Sequence, residues 1–189
     1  MGLGLSLRRA TDTGVPVENA EDVDSGTGSQ YLTFRLGAER FAVPILSILE
    51  IIEYQPPVPV PGLPPLFCGV IDLRETAVPV IELASCLKRP VGAISKRTCI
   101  LIVEAIGSAE QWRVGFIVDS VNEVMDIAAD TIAPPPVIGS ISAEPYLLGT
   151  GRVPRDPFDV EDSEVIVLVD FEPLIAMFAS ADPTGLEAA

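Results

Sequence analysis

Phe41-Ala42-Val43-Pro44-Ile45-Leu46-Ser47-Ile48-Leu49-Glu50-Ile51-Ile52 can be laid on Val114-Gly115-Phe116-Ile117-Val118-Asp119-Ser120-Val121-Asn122-Glu123-Val124-Met125. Apolar positions mostly coincide, Ser47 meets Ser120, and Glu50 meets Glu123. Each block is followed by a proline-rich connector, Pro56–Pro65 and then Pro134–Pro136. After each connector comes an apolar strand with a glycine, Pro65–Gly69 and Pro145–Gly149, and each half closes on a strand, Val78–Leu83 and Val165–Asp170. The pseudo-repeats run from about 31 to 95 and from about 96 to 179. Two copies are too few for a solenoid. Short strands in a small unit must close or cover their edges, so the repeat predicts a mainly β fold of two similar small barrels. The cleft they share is a natural partner site.

Working outward, Tyr31–Leu36 alternates, with Leu32, Phe34 and Leu36 on one face. Gly37-Ala38-Glu39 turns the chain and Phe41–Val43 returns as a hairpin partner. Pro44 fits the first turn of a helix, where its missing N–H costs nothing, and Ile45, Ile48, Leu49 and Ile52 then make a buried helical stripe with Glu50 off it. Gln55–Pro65, with six prolines, is neither helix interior nor central strand. It reads as a stiff connector over the core, a Pro-rich ligand for a partner domain being the other reading. Strands are expected at Phe67–Leu73, Ala77–Leu83 (Pro79 marking an edge or bulge), Thr98–Glu104, Trp112–Val118 and Val165–Val169. A final helix, Phe171–Ala179, would bury Leu174, Ile175 and Phe178. Residues 1–29, acidic and rich in Gly, Ser and Thr, are expected to be disordered, and 180–189 to be a flexible tail.

Composition narrows the chemistry. In 189 residues, 27 acidic and 12 basic side chains give a formal charge of −15, which argues against nucleic acid and against an anionic membrane surface. No histidine is present, which removes Ser-His-Asp and Cys-His catalysis and most zinc sites. Mean hydropathy is high at +0.41. Yet the most apolar stretch, Phe41–Ile52, is broken by Pro44, Ser47 and Glu50 and is shorter than the ~20 residues of a membrane span. Met1-Gly2-Leu3-Gly4-Leu5-Ser6 fits a loose myristoylation pattern that needs a eukaryotic host, and Arg8-Arg9 lacks the apolar segment of a twin-arginine signal. The expectation is a cytoplasmic protein. Cys68, Cys86 and Cys99 have no metal-ligand spacing and read as small buried hydrophobes. No metal and no cofactor is expected.

Four ordered blocks together carry a resemblance to a known family. Phe34-Arg35-Leu36-Gly37 with Phe41–Pro44 and Ile48–Ile52 resembles the opening of the CheW-like chemotaxis coupling domain. Gly69-Val70-Ile71-Asp72-Leu73-Arg74 with Val78–Leu83, then Val114–Val121, then Val165–Asp170 with Leu174-Ile175, resemble its later segments. The resemblance spans roughly residues 30–178. It implies two SH3-like five-stranded β-barrel subdomains with short helices. It further implies a non-catalytic adaptor that couples the cytoplasmic tip of a chemoreceptor to a CheA-type histidine kinase, through that kinase's related regulatory domain. Receptor tips would lie in the groove between subdomains. Ile48, Glu50, Gly69 and Arg74 match positions that the family uses for partner binding. An Arg at a hairpin has its own case, since guanidinium makes directional contacts to carboxylates and carbonyls. It is otherwise a surface Arg paired with Glu75 or Asp72.

Three departures bear on which partner is met. Glu75 stands where the family has Gly, predicting a reshaped turn; Asp72 stands where Asn is usual; and Thr150–Ser163 reads as a long acidic loop. Rival readings are an enzyme using paired carboxylates (Asp119/Glu123 or Asp72/Glu75), a calcium loop at Asp156–Asp162 and an OB-fold nucleic-acid binder. The nearest rival is the same adaptor in a pilus- or biofilm-type pathway.

Overall fold

Alternation decides the first pairing. In the computed structural model, which describes residues 29–106, 111–135, 144–156 and 159–179, β1 (Ser29–Leu36) turns at Gly37 and pairs antiparallel with β2 (Glu39–Pro44), Phe34 opposite Phe41. Both faces of β1 are buried from Tyr31 to Phe34, Leu32 and Phe34 facing the cluster between the barrels and Tyr31 the centre of its own barrel. The chain then crosses to a second sheet through a single 3-10 turn, Ile45–Ser47, and enters β3 (Ile48–Glu53). β4 (Phe67–Leu73), β5 (Thr76–Glu82), β6 (Cys99–Ile106) and β7 (Gln111–Val118) complete that second sheet, in the order β3-β6-β7-β5-β4. β8 (Ser120–Ile127) crosses back, and β9 (Leu147–Asp156) with β10 (Asp159–Val169) finishes the first, in the order β8-β1-β2-β10-β9.

Exchanging β1–β5 for β6–β10 turns one strand order into the other. Each sheet therefore takes strands from both halves of the chain: two from one half and three from the other. The edges are sealed the same way in both. Val58, in the connector after β3, bridges Val70 on β4 through two hydrogen bonds of 2.8 and 2.9 Å. Ala133, after β8, bridges Thr150 on β9 through two of the same lengths. In both barrels the chain leaving one edge strand thus closes on the opposite edge, which removes exposed sheet edges. The first seal lies within the proline-rich run, and the second immediately precedes Pro134.

Closure gives each barrel its own apolar centre. Ile71, Val78, Val80, Ile100 and Ile102 fill one; Tyr31, Ala42, Val153, Ile166 and Leu168 fill the other. A third, larger cluster joins the barrels back to back, with Phe34 stacked on Phe41 at 5.7 Å and Phe116 on Phe171 at 4.6 Å between ring centres. Two short helices cap it: α1 (Leu83–Cys86) contributes Leu83 and Ala84, and α2 (Phe171–Ala179) contributes Phe171, Leu174 and Ile175. The α2 expectation holds; the side chain of Phe178 lies outside the described residues.

Four expectations need correction. The helix expected over Ile45–Ile52 is a 3-10 turn followed by a strand. An Ile-rich run satisfies both periods, and β-branched side chains beside the free edge of β6 favour the strand. Pro44 ends β2, opposite Tyr31, instead of opening a helix. Most of the segment read as an acidic loop, Thr150–Ser163, forms the two arms of a hairpin, β9 and β10. Cys68 is exposed, because a register shift between Phe67 and Gly69 makes it the extra residue of a bulge. Pro79 lies inside β5, one residue before parallel pairing to β7 begins at Val80. The terminal segments, 1–28 and 180–189, lie outside the described residues.

Candidate functional site

Glu50 sits in the middle of β3, where half-buried Ile48, Glu50 and Ile52 alternate with exposed Leu49, Ile51 and Glu53. A register shift between Ile48 and Glu50 puts Glu50 on the same side as Ile52, opposite Ile102, while Ile48 turns the other way toward Val103 and the cluster between the barrels; Glu50 is thus a strand residue, not one off a helical stripe. Arg74 is at the tip of the β4–β5 hairpin, and its Nη2 donates to Glu50 Oε1 at 2.8 Å. The partner foreseen from local sequence, Asp72 or Glu75, is not the one used. Glu50 is 31% exposed and Arg74 76%, so the guanidinium is held from one side and open on the other. Such a pair adds little to stability, on the order of 0–1 kcal/mol. Its effect is to orient the cation.

Arg74 and Glu75 both have positive φ, +52° and +67°, the signature of a two-residue type I′ hairpin turn. The turn is thus kept, not reshaped, with Glu75 in the left-handed region. Asp72 supports it, its Oδ1 accepting from the Glu75 N–H at 3.0 Å. Glu75→Gly is expected to stabilise the fold by about 1 kcal/mol by relieving this strain, read as a higher urea midpoint with unchanged slope. Beside the turn lies a shallow depression of about 400 Å³ lined by Val58, Val70, Ile71, Asp72, Glu75 and Ala77.

Gly69 is not part of that surface. It is buried on β4, under the connector, with φ +145°. A Cβ there would lie 2.3 Å from the Val58 carbonyl oxygen. Gly149 repeats this in the other barrel, at φ +157° and 2.4 Å from the Ala133 oxygen. The glycine common to both halves is what the edge seal requires. Ile48 belongs instead to a second groove, of about 320 Å³, where the crossover Leu46–Leu49 meets Val103 and Glu104 on β6 and Phe171, Glu172 and Ile175 on α2. Leu46, at its lip, is 96% exposed. Sequence reasoning missed this groove because it read Leu46 into a helix. The signal present was the lack of any strand neighbour for an apolar residue between two strands.

The repeated Glu also finds an Arg in the other barrel. Glu123 Oε1 accepts from Arg40 Nη2 at 2.7 Å, but here the Arg is buried and the Glu is 61% exposed. Arg40 also donates to Thr33 Oγ1 at 3.3 Å, while its Nε has no partner among the described residues. Three of the four carboxylates considered for acid/base work are engaged elsewhere: Asp119 Oδ2 accepts from the Gly37 N–H at 2.6 Å, Glu123 holds Arg40, and Asp72 holds its turn, while Glu75 stands exposed at the hairpin tip. Burial pushes Cys86 up to about 12 and raises Cys99, and Cys68, exposed as a residue but with its thiol partly covered and close to the Glu82 carboxylate, is raised as well, so none is an activated nucleophile near neutral pH. Burial also raises the Glu82 carboxyl, which caps α1 through the Ala84 N–H. Among the described residues no group of three or more acidic or Cys side chains is placed to hold a metal.

Two back-to-back barrels with exchanged strands and closed edges, presenting a braced arginine at a hairpin tip and, separately, an apolar groove, define a twin-barrel binding module. The CheW-like domain family matches residues 30–179, and the chain belongs to that family. It is 28% identical over 149 residues to "Chemotaxis protein CheW" of Klebsiella aerogenes, covering 79% of this chain and 82% of the relative. It is 33% identical over 110 residues to the CheW of Bacillus subtilis, covering 58% and 68%. It is 28% identical over 146 residues to "Protein FrzA" of Myxococcus xanthus, covering 77% and 84%. Among solved structures, the scaffolding protein TtCheW of Thermoanaerobacter tengcongensis superposes with a TM-score of 0.64 at 24% identity, over 85% of this chain and 98% of that one. That likeness concerns the fold.

Proposed function

We propose that the chain is a non-catalytic adaptor that couples a chemoreceptor's cytoplasmic tip to a CheA-type histidine kinase. The observation that carries the reading is Arg74, largely exposed yet fixed in direction by Glu50, on a family member. An open guanidinium at a rigid turn is suited to reading carboxylates or helix-end carbonyls on a partner. Ile48, with Leu46 and Leu49, supplies the apolar half of the contact in the groove where a helical hairpin would lie. Gly69 acts through β4, keeping the Arg74 hairpin in place. No helix among the described residues is long and apolar enough to cross a membrane, and a place in the cytoplasm beside membrane-bound receptors fits this role.

The same parts would serve a pilus- or biofilm-type signalling pathway. Asp72 and Glu75, at the turn beside Arg74, are the positions at which a different partner would be read. Co-sedimentation of the full chain with its cognate receptor tips and kinase separates the readings. Coupling predicts a ternary complex in which kinase activity responds to receptor occupancy. A chain that binds neither receptor tip nor kinase, or that turns over a small molecule instead, would end the proposal.

A further inference from the structure

We propose that the groove between the barrels is occupied, in the absence of a partner, by the chain's own segment Leu3–Arg9. The groove asks for a particular occupant. Its wall is apolar, from Leu46, Ile48, Leu49, Val103 and Ile175, and the nearly naked Leu46 stands over it. Covering such a side chain removes apolar surface from water and is favourable. Its rim is acidic: Glu104 and Glu172 are exposed and make no ion pair among the described residues. The fitting ligand is a short apolar segment ending in cations.

Leu3-Gly4-Leu5-Ser6-Leu7-Arg8-Arg9 has that composition. When the segment is extended, Leu3, Leu5 and Leu7 fall on one face, and Gly4 and Ser6 leave the other thin. Arg8 and Arg9 are the first cations of the chain, none follows until Arg35, and no carboxylate precedes Asp12. In a chain of charge −15 this is a local positive end, drawn to unpaired carboxylates. The tether is long enough. About 20 residues join Arg9 to the start of β1, a contour of up to ~65 Å, against a radius of gyration of about 15 Å for a domain of this size. At a local concentration on the order of 1 mM, even an intrinsic Kd of ~0.1 mM keeps the groove mostly filled. A competing partner would then bind about tenfold more weakly than it would to an open groove. That last consequence rests on the reading of the groove as the receptor-tip seat.

The test compares the full chain with a variant carrying Leu3→Ser, Leu5→Ser and Leu7→Ser, and with a second carrying Arg8→Glu and Arg9→Glu. Backbone hydrogen exchange and receptor-tip affinity are read for each. Exchange at Leu46–Leu49 and in the first turns of α2 is expected to rise several-fold in both variants, with the rest of the domain unchanged and no dependence on protein concentration. Receptor-tip binding is expected to tighten about tenfold. Unchanged exchange at the groove overturns the proposal, and so does protection that scales with concentration, which would make a second copy the occupant. Released exchange with unaltered receptor affinity upholds the docking and instead overturns the reading of the groove as the receptor's seat.

Discussion

Gly69→Val is expected to lower domain stability by about 3 kcal/mol or more, while Gly37→Ala costs only about 1. At Gly69 the added Cβ would meet the Val58 carbonyl oxygen at 2.3 Å and its carbon at 2.7 Å. Both are backbone atoms, so no side chain can swing aside. Relief requires lifting the connector, which breaks the paired Val58–Val70 hydrogen bonds at about 1 kcal/mol each, and the positive φ adds about 1–3 kcal/mol of strain. Gly37 has a positive φ but open space around its Cβ position, so it isolates the backbone cost. Gly149→Val is expected to behave like Gly69→Val, because the Ala133 oxygen takes the place of Val58. Urea unfolding of the four proteins checks this. The edge-seal account fails if Gly69→Val and Gly37→Ala share a midpoint. A Gly69 variant of full stability that no longer bound partners would make this glycine a direct contact instead.

The hairpins β1–β2 and β4–β5, the separate strands β6 and β7 and helix α2 were legible because each signal is local, within some twenty residues. The repeat was legible too. Phe41–Ile52 and Val114–Met125 each carry a strand, a crossover and a second strand. What the crossover does was not legible. It exchanges strands between the two barrels, so that β3 pairs with β6 and β8 with β1, and no local pattern records a pairing across so many residues. The same blindness hid the site. Glu50 and Arg74 were each singled out, but neither points to the other across the proline-rich connector, and nearer carboxylates at Asp72 and Glu75 looked equally apt. Arg40 was not singled out at all, and its burial against Glu123 depends on a strand arriving from the far half of the chain.

Arg74→Glu is expected to weaken partner binding by about tenfold to hundredfold with the fold intact. The loss corresponds to one hydrogen bond to a charged group, about 1.5–3 kcal/mol. Stability should move by no more than about 1 kcal/mol, since the Glu50–Arg74 pair is largely in water. Weakened binding alone leaves two explanations: Arg74 touches the partner, or it only holds Glu50 in position. The reversed pair, Glu50→Arg with Arg74→Glu, separates them. It restores the internal attraction across the same 2.8 Å contact but puts the cation on β3 and the carboxylate at the hairpin tip. Were the pair merely a brace, the double variant would bind like the unaltered chain. If the exposed guanidinium reads the partner, the double variant stays as weak as Arg74→Glu, because the charge that faces outward now has the wrong sign. The geometry favours the second outcome, since the Arg end of the pair is the open one and the Glu end is the half-covered one.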